Sequence, residues 1–466
     1  MGSMHEISGI LLKPCHDSML TRYSENDNAG AVITFIFVIT SYTQMDSVII
    51  VGGGISGLLT GLALSKEGKN VTLFEKGEVG NVVRSYQVEG DSGTYTVDTG
   101  PHILTRVNSG PLHTLMKYFD SIPKFVPHGN YYLRMNGKYI LFPWALTDFL
   151  HFDAIPFKER LTLVRCIMEG IVLPDKSVTV KDFISGYNIS ESTMNLVDAL
   201  CYFLAGVPMS KVPVSRFWDS QKYKDGTGSV SQKVLNLILH GTRKDQYYPV
   251  GGIQKLTDSI LKGFTGTIQK EEVITIDPER KSVNTLHNEY FYDFLVYSGM
   301  AHNLPDILDA DLPLTYMQNL SQLESTTAFT LWVGTKDTVI TNTGSEIWVD
   351  TNPPCWVVPT SVYDPELAPE GCQLLGLAFP HSPGIEKKAL AAFEYVFPDA
   401  SIDMVHSQVL QPDKAAWTTV PFPSVKTPVS DVYLVGTDTI KKSMGITRAS
   451  YSVLQLLHVL RGEKKL

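Results

Sequence analysis

Four glycines and one acid at fixed spacing are the first residues in this sequence able to do specific chemistry. Gly52-Gly53-Gly54-Ile55-Ser56-Gly57 follows the apolar run Ser47–Val51 and precedes Leu58, Leu59, Leu62 and Ala63, which recur at helical spacing up to Gly68. A second apolar run, Val71–Phe74, ends on Glu75, 23 residues after Gly52, with Lys76 beside it as a further cofactor-binding candidate. Strand, Gly-x-Gly-x-x-Gly, helix, strand and acid in this order make a βαβ unit for a dinucleotide. Gly52 permits the tight turn, Gly54 lets backbone N–H groups approach a pyrophosphate, and Gly57 lets the helix pack on its strand. The helix start at Ile55 and Ser56 adds partial positive charge under the anion. Glu75 can accept hydrogen bonds from a ribose diol, and its charge repels a 2′-phosphate.

A second cofactor-facing element stands near the other end. The apolar run Asp431–Val435 leads into Gly436-Thr437-Asp438, then Ser443-Met444-Gly445-Ile446-Thr447. Ile446, Ala449, Val453, Leu457 and Leu460 fall on one helical face, and Gly462 is a natural stop.

With these residues in place, the chain resembles the FAD-dependent amine oxidase, phytoene desaturase and protoporphyrinogen oxidase superfamily. Four segments carry the likeness and together span nearly everything after Met45: Val51 to Glu75, Tyr95 to Ile103, Tyr248 to Leu256, and Val435 to Leu460. The resemblance implies an α/β fold, with a discontinuous Rossmann-like FAD-binding domain and an inserted α+β substrate domain. It also implies that the strand end at Gly100-Pro101 lies against the flavin, and that Val273 touches adenine through its backbone. Asp438 would accept a ribityl hydroxyl, and the N–H groups of Gly445, Ile446 and Thr447 would stabilise charge on the reduced flavin. Family members usually carry Gly-Gly-Arg shortly after the ribose acid; here the stretch reads Glu75-Lys-Gly-Glu-Val-Gly-Asn-Val-Val-Arg84-Ser85. Arg84 and Ser85 are expected to take the pyrophosphate roles without the paired glycines. No second Gly-x-Gly-x-x-Gly follows a strand, which argues against a separate NAD(P)H domain.

The elements that must position these residues need a long chain, and 466 residues supply one. Hydrophobic residues make up 43% and charged residues 19%, which excludes a disordered or collagen-like chain. A formal net charge of −9 argues against a general nucleic-acid binder. Five scattered cysteines without a CxxC pair suggest neither a disulfide framework nor zinc, so a reducing, cytoplasmic setting is expected. The leader 1–44 holds the apolar run Ala31–Thr40, too short to span a bilayer and β-favouring in composition. It is expected to be a tag or non-native extension. The FAD-binding domain is expected over 45–106, 245–305 and 428–466, and the substrate domain over 107–244 and 306–427. The latter reads as a mixed sheet with a helical cap, including amphipathic stretches at Phe157–Val172 and Ser190–Leu204, with Ser190 as an N-cap.

Several residues admit two readings. His102 either touches substrate beside flavin N5 or merely bonds backbone, and it is the one candidate catalytic residue. Asp98 reads as a cap of its turn rather than an acid. Arg106 holds either an anion or a surface carboxylate, and Lys441 and Lys442 either add to the positive field at the flavin or form a solvated loop, the latter being the preferred reading. Aromatics at Tyr131, Tyr132, Phe142, Trp144, Trp218, Tyr223, Trp332, Trp348 and Trp356 either wall an apolar pocket or form core. Phe157, Leu161, Val164, Met168 and Ile171 form one apolar helix stripe, read first as packing on the substrate domain. The alternative is a mouth resting weakly on a membrane surface.

The expected activity is hydride transfer from an apolar substrate, of the carotenoid-desaturase or protoporphyrinogen-oxidase kind, to flavin N5. Oxygen, a quinone or another acceptor would then reoxidise the flavin. Amine oxidation ranks below it, because that branch of the superfamily usually keeps a lysine near N5 and none stands in Tyr297–Pro305. Two further alternatives are a flavin-dependent nucleotide-sugar mutase and a non-catalytic binder of the GDP-dissociation-inhibitor type.

Overall fold

Apolar runs at Ser47–Val51, Asn70–Phe74 and Phe294–Tyr297 become strands of one parallel sheet, seen here in a computed structural model. The structure describes residues 20–22, 34–36, 46–143, 146–172, 177–216 and 245–466. Its contacts divide into two units, residues 1–45 and 46–466. In the first, strands Leu20–Arg22 and Thr34–Ile36 pair antiparallel.

In the second unit the parallel sheet has five strands, in the order Thr267–Gln269, Asn70–Phe74, Ser47–Val51, Phe294–Tyr297, Val432–Leu434. Both of its faces are covered, which explains why its strands read as continuous apolar runs rather than alternating ones. Val48 and Ile50 point to the side where the helices Ile55–Lys66, Gln254–Gly263 and Gly445–Gly462 bury Leu58, Leu62, Leu256, Ile260, Val453 and Leu457. Ile49 and Val51 point the other way, against Leu295, Leu434 and the hairpin residues Ile276 and Val283. Strands 200 or more residues apart in sequence thus share one core, and their C-terminal ends all open toward the same loops.

A second sheet has seven strands, in the order Lys138–Leu141, Tyr131–Met135, Ser345–Trp348, Cys355–Val358, Gln373–Pro380, Ser325–Thr335, Ile402–Ala415. It is mixed: Tyr131–Met135 and Ser345–Trp348 run parallel, and the other neighbours run antiparallel. Helix Ile385–Val396 covers one face through Phe393 and Ala389. On another side Leu133 and Ile347 pack with Leu163, Leu196 and Cys201 from the helices Phe157–Val172 and Glu191–Ala205. Ser190 caps the second of these helices, its hydroxyl accepting the Thr193 N–H at 3.4 Å, and Gly206 ends it in the left-handed region at φ +76°.

Candidate functional site

The glycine loop is fixed by contacts that only glycine permits. A Cβ on Gly57 would stand 2.0 Å from the Gly52 carbonyl oxygen, so the helix starts in direct contact with the strand end. Gly52 has φ +108° and donates its N–H to the Phe74 carbonyl at 2.8 Å. Gly54, the N-cap, faces open space, with no side chain capping the helix and no acid in its first turn. The amides of Ile55, Ser56 and Gly57 open this helix.

Glu75 is held rather than mobile. Its Oε2 accepts from the Gly53 N–H and its Oε1 from the Gly77 N–H, both at 2.7 Å. The carboxylate therefore sits beside the glycine loop in one orientation, each oxygen keeping a lone pair for a ligand. Lys76 instead turns to the surface and pairs with Glu272 at 2.8 Å. Val273, the next residue after Glu272, is buried, and among the described residues its backbone N–H and C=O take no partner. The loop lacking paired glycines closes on Gly80, whose φ is +95° and whose N–H donates to the Gly53 carbonyl at 2.9 Å. Arg84 is then tied through its backbone: its carbonyl accepts the Thr99 N–H at 2.8 Å.

Asp98 joins three elements. Its Oδ1 accepts from the Ser85 hydroxyl at 2.6 Å and the Ile253 N–H at 3.0 Å, and its Oδ2 from the Tyr248 hydroxyl at 2.8 Å. Ser85 in turn accepts the Gln254 N–H at 3.0 Å. Burial pushes the Asp98 carboxyl above the usual range, with His102 and these donors pulling it back. Asp98 is thus a structural junction that caps the helix start at Ile253, where a cap of its own turn was expected. Just beyond, the Gln408 side chain donates to the Asp98 carbonyl at 2.9 Å and also to the Thr99 carbonyl. Gly100 has Leu410, His102 and Thr330 around it, the nearest at 3.2 Å from a built Cβ, and Pro101 lies near Gly376 and Trp332. The strand end carrying His102 thus rests on the seven-stranded sheet.

Across the site stands the C-terminal element. Gly436 has φ +158°, and a Cβ there would lie 2.7 Å from Asp438 Oδ1. Asp438 is fully buried; its Oδ2 accepts the Ala301 N–H at 2.5 Å, and its Oδ1 has no hydrogen-bond partner among the described residues. Burial raises this carboxyl, opposed by the Ala301 amide and its own backbone and by the charges of His302 and Arg448. Ser298, under the glycine loop at 3.1 Å from a built Gly57 Cβ, also has a buried hydroxyl without a partner among the described residues. Gly445 opens the last helix at φ +48° facing open space, with neither a capping side chain nor an acid in the first turn. Ile446 and Thr447 follow it, and the Thr447 hydroxyl bonds Thr105 at 2.8 Å.

Arg448 escaped sequence reasoning. It is fully buried, donating to the carbonyls of Ser443, Thr437 and Ala415 at 2.9–3.1 Å and stacking on Trp417. Its only signal is an arginine inside the apolar-periodic start of a helix. Arg106 reaches Tyr451 and the Ser109 carbonyl, so it braces the last helix. Lys441 donates to the Thr418 carbonyl at 2.8 Å, a packed rather than solvated position, and Lys442 lies over Tyr451. Of the aromatics, Trp332 and Trp348 are core, while Tyr131, Phe203 and Trp356 form an edge-to-face series at 5.5 and 5.7 Å. Trp144, Trp218 and Tyr223 lie outside the described residues.

The two cradles suit a dinucleotide: a carboxylate and one helix start for the nucleotide end, and a second helix start beside an unsatisfied buried carboxylate oxygen for the other end. A family profile described as an NAD(P)-binding Rossmann-like domain matches residues 50–119. An uncharacterized protein in the nifH2 3′ region of Methanothermococcus thermolithotrophicus is 48% identical over 88 residues, 19% of this chain and 82% of that protein. An oxidoreductase from Methanosarcina mazei superposes with a TM-score of 0.74 at 18% identity, covering 88% of this chain and 100% of its own. Cyclohexylamine oxidase from Brevibacterium oxydans does so at 0.64 and 14%, covering 90% and 100%. Among the described residues no helix is long and apolar enough to cross a membrane. The chain therefore belongs to one family with the archaeal relative, and it carries the fold of the amine oxidase-type flavoprotein oxidoreductases.

Proposed function

We propose that this protein is an FAD-dependent oxidoreductase that takes hydride from an apolar substrate of the carotenoid-desaturase or protoporphyrinogen-oxidase kind. The observation that carries the cofactor assignment is Asp438 Oδ1, a buried carboxylate oxygen with no donor among the described residues, beside an open helix start. A ribityl hydroxyl is the donor it suits. Glu75 would hold the ribose, the amides of Ile55, Ser56 and Gly57 the pyrophosphate with Arg84 alongside, and the Val273 backbone the adenine. Bound FAD supplies a hydride acceptor at flavin N5. The chain's own part is to orient the substrate between His102 and the sheet, and to place the Gly445, Ile446 and Thr447 amides where reduction adds negative charge.

Substrate polarity is inferred from the sheet beside Gly100. The cross-strand row Trp356, Ala378, Thr330, Gln408 holds no charged residue, and Leu410 and Pro101 line its end. Amine oxidation is the second reading, favoured by the likeness to cyclohexylamine oxidase. Against it, Ser298–Pro305 supplies His302 and no lysine, and Lys441 is occupied by a backbone carbonyl.

The test is spectroscopic. Purified protein should show oxidised flavin bands, which anaerobic mixing with a polyene or a porphyrinogen should bleach, while simple primary amines leave them unchanged. Bleaching by a small amine alone would put amine oxidation first. A colourless protein that takes up no FAD would leave a binding module of the GDP-dissociation-inhibitor type.

A further inference from the structure

Gln408 ties the seven-stranded sheet to the strand end at Asp98–His102. It stands on strand Ile402–Ala415 opposite Thr330, and His406, two residues earlier on the same face, stands opposite Trp332. Both side chains reach Tyr86, which belongs to the hairpin of Ser85–Glu89 and Thr94–Asp98. The Tyr86 hydroxyl is 2.8 Å from His406 Nε2 and 2.7 Å from Gln408 Oε1. Gln408 Nε2 donates to the Asp98 carbonyl at 2.9 Å and to the Thr99 carbonyl. All three side chains are half-buried, and the Tyr86 and His406 rings meet edge to face at 5.5 Å.

The direction of every proton in this row follows from its far end. Two backbone carbonyls can only accept, so the Gln408 amide nitrogen must face them and its oxygen must face Tyr86. Gln408 Oε1 can only accept, so the single hydroxyl proton of Tyr86 goes there. The bond to His406 then needs a proton on Nε2. Burial holds the His406 imidazole below its usual range, so near neutral pH the ring is uncharged and is fixed as its Nε2–H tautomer. Burial raises the Tyr86 phenol, Arg84 lowers it and Asp98 raises it again, so the hydroxyl keeps its proton. Donation therefore runs one way, from His406 through Tyr86 and Gln408 to the two carbonyls, and each bond polarises the next.

We infer that Gln408, oriented by Tyr86 and His406, is a positioning residue that sets the Gly100–His102 strand end against the cofactor and thereby tunes the flavin. Asp98 and Thr99 are the last residues before Gly100. On one side they are tied to the dinucleotide-binding half, the Asp98 carboxylate to the Ile253 N–H, the Thr99 N–H to the Arg84 carbonyl and the Thr99 hydroxyl to the Val82 carbonyl. Gln408 supplies the tie from the opposite sheet, so the strand end is clamped between the two. Apolar packing would hold the hairpin on the sheet without fixing its height. A directed row ending on two carbonyls does fix it, because hydrogen bonds weaken steeply away from their preferred geometry. The inference rests on the proposed flavin site beside Gly100 and Pro101, and does not depend on which substrate is oxidised.

The test reads the flavin itself in the purified FAD-bound full chain, as visible absorbance and reduction potential, beside wild type at each pH. Gln408→Leu removes both donors and should shift the bands and the potential. Gln408→Glu separates positioning from packing. Ionised, its carboxylate cannot donate and repels the two carbonyls; protonated, its O–H donates again. The shift should therefore appear at alkaline pH and reverse on acidification, with no such reversal in Gln408→Leu. His406→Gln keeps an N–H for Tyr86 and should keep the wild-type signals. His406→Glu offers an acceptor, draws the Tyr86 proton away from Gln408 and should reproduce the shift, which carries the same contrast if Gln408→Leu does not fold. Wild-type flavin signals in the Gln408 variants, even with a lowered thermal midpoint, overturn the inference and leave a structural tie. Equal signals from the two His406 variants overturn the assigned direction. A wild-type chain that takes up no FAD fails the proposed function itself, whereas normal uptake with indifferent variants refutes this inference alone.

Discussion

Replacing Asp438 with asparagine separates cofactor binding from folding. In the free protein the carboxylate is buried, with one oxygen accepting the Ala301 amide and the other without a donor among the described residues. Its ionised form is therefore costly, which is why burial raises its pKa. Asparagine keeps an acceptor for the Ala301 N–H and removes the charge. The lost charge-assisted bond to a ribityl hydroxyl is worth roughly 1.5–3 kcal/mol. At about 1.4 kcal/mol per decade, FAD affinity should fall roughly ten- to hundredfold. The apoprotein should not suffer, its midpoint moving by no more than about 3 °C. The sign with pH follows from the raised folded pKa. Stability is full below the unfolded carboxyl range and declines as pH rises through the elevated folded value; Asp438→Asn should flatten that decline. Fluorescence titration of apoprotein with FAD, beside thermal scans from acid to neutral pH, measures both. Unchanged FAD affinity, or an apoprotein destabilised enough to account for the loss, would refute the reasoning.

Three other substitutions probe the rest of the site. Gly57→Ala puts a methyl 2.0 Å from the Gly52 carbonyl, so soluble yield or flavin content should collapse; normal levels of both would show that the helix can retreat. Glu75→Ala removes the ribose acceptor and two loop bonds, and equilibrium dialysis should show FAD affinity lowered by about tenfold or more. Tyr248→Phe removes one of the three donors to buried Asp98; chemical denaturation should give a loss of about 1–3 kcal/mol, and no loss would mean this hydrogen bond does not hold the junction together.

The parallel sheet was legible because each strand is buried on both faces, so Ser47–Val51 and Asp431–Val435 announce themselves as unbroken apolar runs. The glycine loop was legible because sterics leave no choice at Gly57. What sequence could not show is pairing across long separations. Tyr131–Met135 runs parallel to Ser345–Trp348, and no local pattern in either segment names the other. Periodicity at Phe157–Met168 fixes a helix face but not what covers it. Phe157, Leu161 and Met168, expected to pack on the substrate domain, stand exposed, since an apolar stripe reads the same whether it meets core or solvent. The Ile171 side chain lies outside the described residues. Lys76 and Lys441 were misplaced for a related reason. A long cation goes to the nearest acceptor, Glu272 or the Thr418 carbonyl, and those neighbours come from distant stretches.

The three helices on the parallel sheet differ at their starts, and that difference ties fold to function. Helix Gln254–Gly263 borrows its caps from the hairpin beside it, Asp98 taking the Ile253 amide and Ser85 the Gln254 amide. In the cap, Thr179 and Ser190 perform the same task for their helices. Helices Ile55–Lys66 and Gly445–Gly462 have no capping side chain and no first-turn acid, and each opens on a glycine facing free space. Two uncompensated helix starts in one domain are destabilising on their own. They make sense if one ligand carries negative charge to both, a pyrophosphate at Ile55–Gly57 and the electron-rich end of a reduced flavin at Gly445–Thr447. A free cap on either helix, for instance Gly54→Ser, should then raise apoprotein stability while weakening FAD binding. Greater stability with undiminished binding would mean that these ends were never reserved for a cofactor.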